Sequence, residues 1–180
     1  DVGGLVVSTA DIDDAAFMGG GALRFDKPGK PGANITNSGM ISARDAGIAA
    51  FVAPRVRNDG IIRANMGRVV LAGAQSFTLD MAGDNLIRFQ LGDEVTRETD
   101  GGTPGALVDS SGVIDVRGGS VLLTARAARD VVNASVRVTD GRAATATSRD
   151  ANGDIVLGAS PTIAAAQLTV EGTGEVEIGA

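Results

Sequence analysis

A two-beat phrase recurs along this chain and limits its fold more than any single residue does. Asn37-Ser38-Gly39-Met40-Ile41-Ser42-Ala43 leads into Gly47-Ile48-Ala49-Ala50-Phe51-Val52. Asn58-Asp59-Gly60-Ile61-Ile62-Arg63-Ala64 leads into Gly67-Arg68-Val69-Val70-Leu71-Ala72. Ser110-Ser111-Gly112-Val113-Ile114-Asp115-Val116 leads into Gly119-Ser120-Val121-Leu122-Leu123-Thr124-Ala125. Gly39 and Gly60 lie 21 residues apart, a period that belongs to stacked repeat architectures. The apolar runs are short, β-branched and bounded by Gly, Asn, Asp and Ser, which makes them strands rather than helices.

Stacked strands of this kind predict an all-β chain, a parallel β-helix in which each coil lies on the equivalent strands of the coil before. Ile41, Ala43, Ile62, Ala64, Ile114 and Val116 would point inward, and Ser42, Arg63 and Asp115 outward, because a strand alternates its faces. The expected core columns are Ile41, Val52, Ile62, Val69, Leu71, Ile114, Val121 and Leu123. Gly39, Gly60 and Gly112 would share one corner that needs a positive φ, with the adjoining Asn or Ser satisfying the turn backbone. With ~150 residues coiling at about 21 per turn, the rod would hold about seven rungs and reach roughly 35 Å.

The whole chain, 1–180, reads as one domain with four parts. Residues 1–33 fit the repeat poorly and read as capping plus a first coil, with a corner from Ala10 to Gly21 and a strand at Ala22-Leu23-Arg24-Phe25. Residues 34–75 are coils. Residues 76–105 break the period: Phe77 to Met81 and Leu86 to Leu91 flank Ala82-Gly83-Asp84-Asn85, a hairpin signal, and Glu94 to Gly105 reads as a surface loop. This hairpin is expected to stand outside the coil stack. Coils resume over 106–180, with Asn152 to Leu157 and Gly174 to Ile178 as two later rungs. Thr124 to Asp130, the most helix-like stretch, reads as a coil corner or a single turn. Both ends look cut from a longer protein.

Composition removes function classes. There is no Cys and no His, so a thiol nucleophile, the usual base of a Ser triad and the commonest zinc ligand are all missing. Only five Phe and no Trp or Tyr supply aromatics, so the core must be aliphatic. The net charge is −6 with scattered cations, unlike the clustered basic footprint of a nucleic-acid binder. No apolar run approaches the ~18 residues of a membrane span.

Several residue groups invite a chemical reading, and each has a plainer one. Asp11, Asp13 and Asp14 carry the oxygens a hard cation takes, yet the adjacent Gly19-Gly20-Gly21 favours a corner. That glycine run lacks the Gly-Lys-Ser/Thr of a phosphate loop. Asp150-Ala151-Asn152-Gly153-Asp154 lacks calcium-loop spacing and reads as a turn. Asn34-Ile35-Thr36 and Asn133-Ala134-Ser135 match the glycosylation pattern, which is common by chance. Asp80, Asp84 and Arg88 sit on the expected hairpin, but acid–base work needs a cleft that perturbs one carboxylate. No catalytic, cofactor-binding or metal residue is therefore assigned.

The phrases VGGLVVSTADI, NSGMISARDAG, AAFVAPRVRNDGIIRANMGRVVLAGAQSFTLDMAGDNLIRF and GVIDVRGGSVLLTARAARDVV, taken in order, resemble the N-terminal haemagglutination-activity domain of filamentous haemagglutinin and related two-partner secretion exoproteins. The resemblance is strongest from Asp1 to Ile12 and from Asn34 to Val132. It implies a right-handed parallel β-helix with extra-helical β elements, one of them at Phe77 to Leu91. It also implies a secretion module recognised in the periplasm by a partner β-barrel transporter, which nucleates folding of a long adhesin-like passenger at the cell surface. The family's Asn-Pro-Asn-Gly-Ile type motifs, expected upstream of the VGGLV phrase, are not in this chain. Two other functions are kept in view: a polysaccharide-active β-helix enzyme, and a passive structural repeat.

Overall fold

The computed structural model describes residues 2–30, 32–80, 88–92, 107–125, 134–138, 147–149, 155–157, 163–165, 167–172 and 175–178, with side chains to 80, at 92 and from 107 to 125. Strands dominate it. In chain order they are β1 Leu5–Ser8, β2 Leu23–Phe25, β3 Asn34–Asn37, β4 Met40–Ser42, β5 Ile48–Ala53, β6 Arg55–Asn58, β7 Ile61–Arg63, β8 Arg68–Gly73, β9 Phe77–Asp80 and β10 Arg88–Leu91. They continue as β11 Val108–Ser110, β12 Val113–Asp115, β13 Ser120–Ala125, β14 Ala134–Val138, β15 Thr147–Arg149, β16 Ile155–Leu157, β17 Ile163–Ala165, β18 Gln167–Gly172 and β19 Glu175–Ile178. A helix, α1, covers Asp14–Gly19, so the expected corner from Ala10 to Gly21 holds a helical turn as well. Asp13 starts it by accepting hydrogen bonds from the Ala15 and Ala16 N–H groups, the usual duty of an N-cap carboxylate.

Three consecutive strand triplets, β3-β4-β5, β6-β7-β8 and β11-β12-β13, form tiers that pair in parallel, each strand on its counterpart. Met40 faces Ile61 in register and Ile61 faces Val113. Asn34 faces Arg55, and Val56 faces Val108. Ile48 faces Arg68, which faces Ser120. The 21-residue spacing read from the glycines is thus the strand register between the first two tiers, shortened by one in β5–β8. Two of these sheets are five strands deep, β1-β5-β8-β13-β18 and β19-β14-β11-β6-β3. At ~4.8 Å per strand that is about 20 Å, so the described residues supply five rungs in these sheets against the seven expected.

The inward alternation holds. Ala43, Ile62, Ala64, Ile114 and Val116 are buried, and Ile41 packs half-buried against the same cluster. Ser42 and Arg63 are exposed. The turn glycines stack at one corner, but not for the expected reason. Gly39, Gly60 and Gly112 do not have positive φ. Left-handed backbone falls instead at the second corner, at Ala46 (φ 58°), Met66 (φ 51°) and Gly118 (φ 73°). There each tier closes a turn, as where the Gly67 N–H donates to the Ala64 carbonyl at 2.8 Å with Met66 in the third position, a type II geometry. Gly60 and Gly112 are glycine because a Cβ there would strike the backbone of Gly39 and Gly60 beneath.

A second core lies on the other face of β5 and β8. Ile48, Ala50, Val52, Val70, Ala72 and Ala74 pack against Leu23, Phe77 and Leu79. Val52, expected in the interior columns, belongs to this outer cluster. The expected hairpin exists: β9 pairs antiparallel with β10, Arg88 facing Asp80. It does not stand free. β2 joins its other edge, Phe25 facing Phe77, and the rings stack with centroids 4.3 Å apart. Phe77 is 1% exposed, so the three-stranded sheet is a lid on β5 and β8.

One later repeat is corrected. Ile155–Leu157 is the middle of an antiparallel trio, β15-β16-β17, and not a tier equivalent to β19. β17 then returns to pair in parallel with β12, and β19 pairs in parallel with β14. The turn at 82–85, the loop from 94 to 105 and residues 126–130 lie outside the described residues.

Candidate functional site

Among the described residues, those singled out for chemistry do not assemble. Among the described residues no group of three His, Cys, Asp or Glu could hold a metal. Asp13 is occupied as the cap of α1 and pairs with Lys27 at 3.4 Å. The Ala16 N–H first, then Lys27, hold its carboxylate below the ordinary range. Asp11 exchanges backbone hydrogen bonds with Lys27 and its own Oδ1 accepts from the Ile12 N–H. Gly20 and Gly21 form the left-handed exit of α1. Asn34 is exposed at the start of β3. Asp80 and Arg88 face each other in register across the hairpin; Asp84, Asn133 and 150–154 lie outside the described residues. No helix among the described residues is long and apolar enough to cross a membrane.

What the described residues do build is a strand end at which little further strand is paired. Among the described residues, β3 and β4 in the first tier, and β1 beneath the first-tier strand β5, are the terminal strands of the three parallel ladders. Their sequences, LVVS, NITN and MIS, contain no charge and no proline, the usual devices that protect a sheet edge. Leu5, Val7, Ile35 and Ile41 are only partly buried, whereas Phe51, Val56 and Ile62, deeper in the stack, are at most 3% exposed. Val2 alone laps over β4, its N–H donating to the Ser42 carbonyl at 3.3 Å while its carbonyl accepts from Arg44 at 2.8 Å.

Beside this end begins an internal polar column. Asn37 Nδ2 donates to Asn58 Oδ1 at 2.8 Å, and Asn58 Nδ2 donates to Ser110 Oγ at 3.3 Å. Both amides are buried, and burial costs little once the donors and acceptors are matched. The corner N–H groups show how the end tier differs. Those of Gly60 and Gly112 donate to the carbonyls of Asn37 and Asn58 beneath, at 2.9 and 2.8 Å. Gly39 has no strand beneath it among the described residues, and its N–H donates to the side chain of Asn37, at 3.2 Å. Asn37 thus stands in for a missing tier. The sequence reading placed these polar residues at the turn; it missed their contacts with one another. The signal was present, since each lies two residues before a stacked glycine.

The outward faces carry charge. Arg57 Nε donates to Asp59 at 2.9 Å, and Ser111 Oγ donates to Asp59 Oδ1 at 2.7 Å, tying the second tier to the third. Arg57 first and Ser111 second hold the Asp59 carboxylate below its ordinary range. No family model matches this chain, and no curated protein matches it significantly.

Proposed function

We propose that this chain is the secretion and folding-nucleation module of a large adhesin-like exoprotein, a haemagglutination-activity domain exported through the outer membrane by a partner β-barrel transporter. In this reading the tiers form a parallel β-helix, right-handed as parallel crossovers almost always are, and the sheet β10-β9-β2 is its extra-helical element. The role is one of recognition, without catalysis, and the site of action is the periplasm and then the cell surface.

The single observation that carries the reading is the unprotected strand end at β1, β3 and β4. A strand edge free of charge and proline suits an extended partner that adds by main-chain pairing. The test is binding of the purified chain to the periplasmic domains of such a transporter, with and without an upstream extension bearing the Asn-Pro-Asn-Gly-Ile motif. Saturable binding, lost in Thr36→Pro, supports the reading. No binding by either form overturns it.

A further inference from the structure

We propose that the charged register positions along the sheet β19-β14-β11-β6-β3 form a code of alternating sign that selects which strand stacks on which. In one sheet Arg57 faces Asp109, Asp109 faces Arg137, and Arg137 faces Glu177, all in register. In a second sheet Arg63 faces Asp115. The second tier is positive at both positions, and the third is negative at both. The first tier has hydroxyls there: Thr36 faces Arg57 and Ser42 faces Arg63.

Such a code answers a difficulty built into the topology. Val56 pairs with Val108, 52 positions on; Val108 pairs with Val136, 28 on; Val136 pairs with Val176, 40 on. The separation in sequence differs each time, so sequence distance cannot choose the partner. The register column just before the charged one is uniform, with valine in all four strands, and gives little discrimination either. The charged column does discriminate. Were β14 to dock on β6 with β11 left out, Arg137 would face Arg57. Were β19 to dock on β11 with β14 left out, Glu177 would face Asp109. Like charges directly opposed on a sheet repel, and opposite ones attract, so leaving out either β11 or β14 replaces attraction by repulsion. In the folded chain Asp59 first, through its hydrogen bond and charge, and Asp109 last raise the affinity of Arg57 for the proton.

The inference does not depend on the secretory role. Because the chain has no cysteine of its own, three substitutions can report the stacking: Asn58→Cys, Ser110→Cys and Val138→Cys, which share one register column. The full chain carrying all three is refolded from denaturant and oxidised, and the disulfides are mapped by mass spectrometry. Correct stacking joins 58 to 110 or 110 to 138; omission of β11 joins 58 to 138. Adding Asp109→Arg should raise the 58–138 product at least about fivefold, and the increase should shrink at 1 M salt, where screening reaches ~3 Å. The inverted column, Arg57→Asp with Asp109→Arg, Arg137→Asp and Glu177→Arg, should restore the parent ratio. The readout counts all refolding products, so it works even where Asp109→Arg prevents a native yield. An unchanged ratio in Asp109→Arg, an increase indifferent to salt, or an inverted column no better than Asp109→Arg would each overturn the proposal.

Discussion

The two cores of this protein are built from the same strands and by opposite rules. On the inner face of β5 and β8, Ala49, Phe51, Val69 and Leu71 join a cluster assembled from equivalent positions of successive tiers. On the outer face, Ala50, Val52, Val70 and Ala72 meet Leu23, Phe77 and Leu79, which come from segments with no counterpart in the repeat. The inner core is periodic and the outer one is unique. Repetition supplies the first, and a chance of topology, two distant excursions meeting as one antiparallel sheet, supplies the second.

That contrast can be broken from either side. The largest effects are expected from Leu71→Ala and Phe77→Ala, each costing about 3–5 kcal/mol as cavity plus lost transfer energy. They should differ in kind: Leu71→Ala lowers the stability of the whole chain, while Phe77→Ala loosens the lid first. Hydrogen exchange at β2 and β9 against β6 and β7 would separate the two. Next comes Gly60→Ala, expected to cost about 3 kcal/mol because backbone rather than a pliant side chain blocks the new methyl. Gly39→Ala, at the same corner with nothing within 4 Å, should stay within about 0.5 kcal/mol; equal losses in denaturant unfolding would refute the stacking account of these glycines. Asn58→Ala removes the centre of the polar column and should cost about 1–3 kcal/mol. Met66→Gly should stabilise the chain by up to about 1 kcal/mol, since a non-glycine residue in left-handed backbone is strained, and a fall in thermal midpoint would count against that.

The smallest effect concerns acid. The Asp59 carboxylate is held below its ordinary range by Arg57 and Ser111. Its contribution is therefore complete above the ordinary carboxylate pKa and is lost as pH falls through the lowered folded value. Asp59→Asn should flatten part of the acid limb of a stability-versus-pH curve and leave the neutral plateau's slope unchanged. An unaltered acid limb would show that the pair is silent.

What could be read from the sequence follows the same division. The 21-residue register, the inward face of Ile62 and Ile114 and the existence of the hairpin were all legible, because each is encoded by short-range alternation and turn residues. The lid was not. Nothing local to Leu23 or Phe77 says that the two segments share a sheet. One hint was available: IAAFVA and, after Arg68, VVLAG are unbroken apolar runs, which mark strands covered on both faces. Reading Val52 as interior overlooked that, since alternation puts it opposite Phe51. The corner glycines were located correctly but misattributed, because a turn residue with positive φ and one with no room for a Cβ look identical in a sequence. The candidate site was less legible still. An unprotected edge is defined by which strand has no neighbour, a property of the stack and not of any motif.

The long detour between β8 and β11 displaces all three ladders by the same 52 positions: Val56 to Val108, Ile61 to Val113 and Arg68 to Ser120. What lies between β8 and β11 thus shifts the three ladders together and leaves their registers relative to one another as they were. Novelty in a protein of this design accumulates sideways, as ornaments hung between floors, while the floors themselves stay interchangeable.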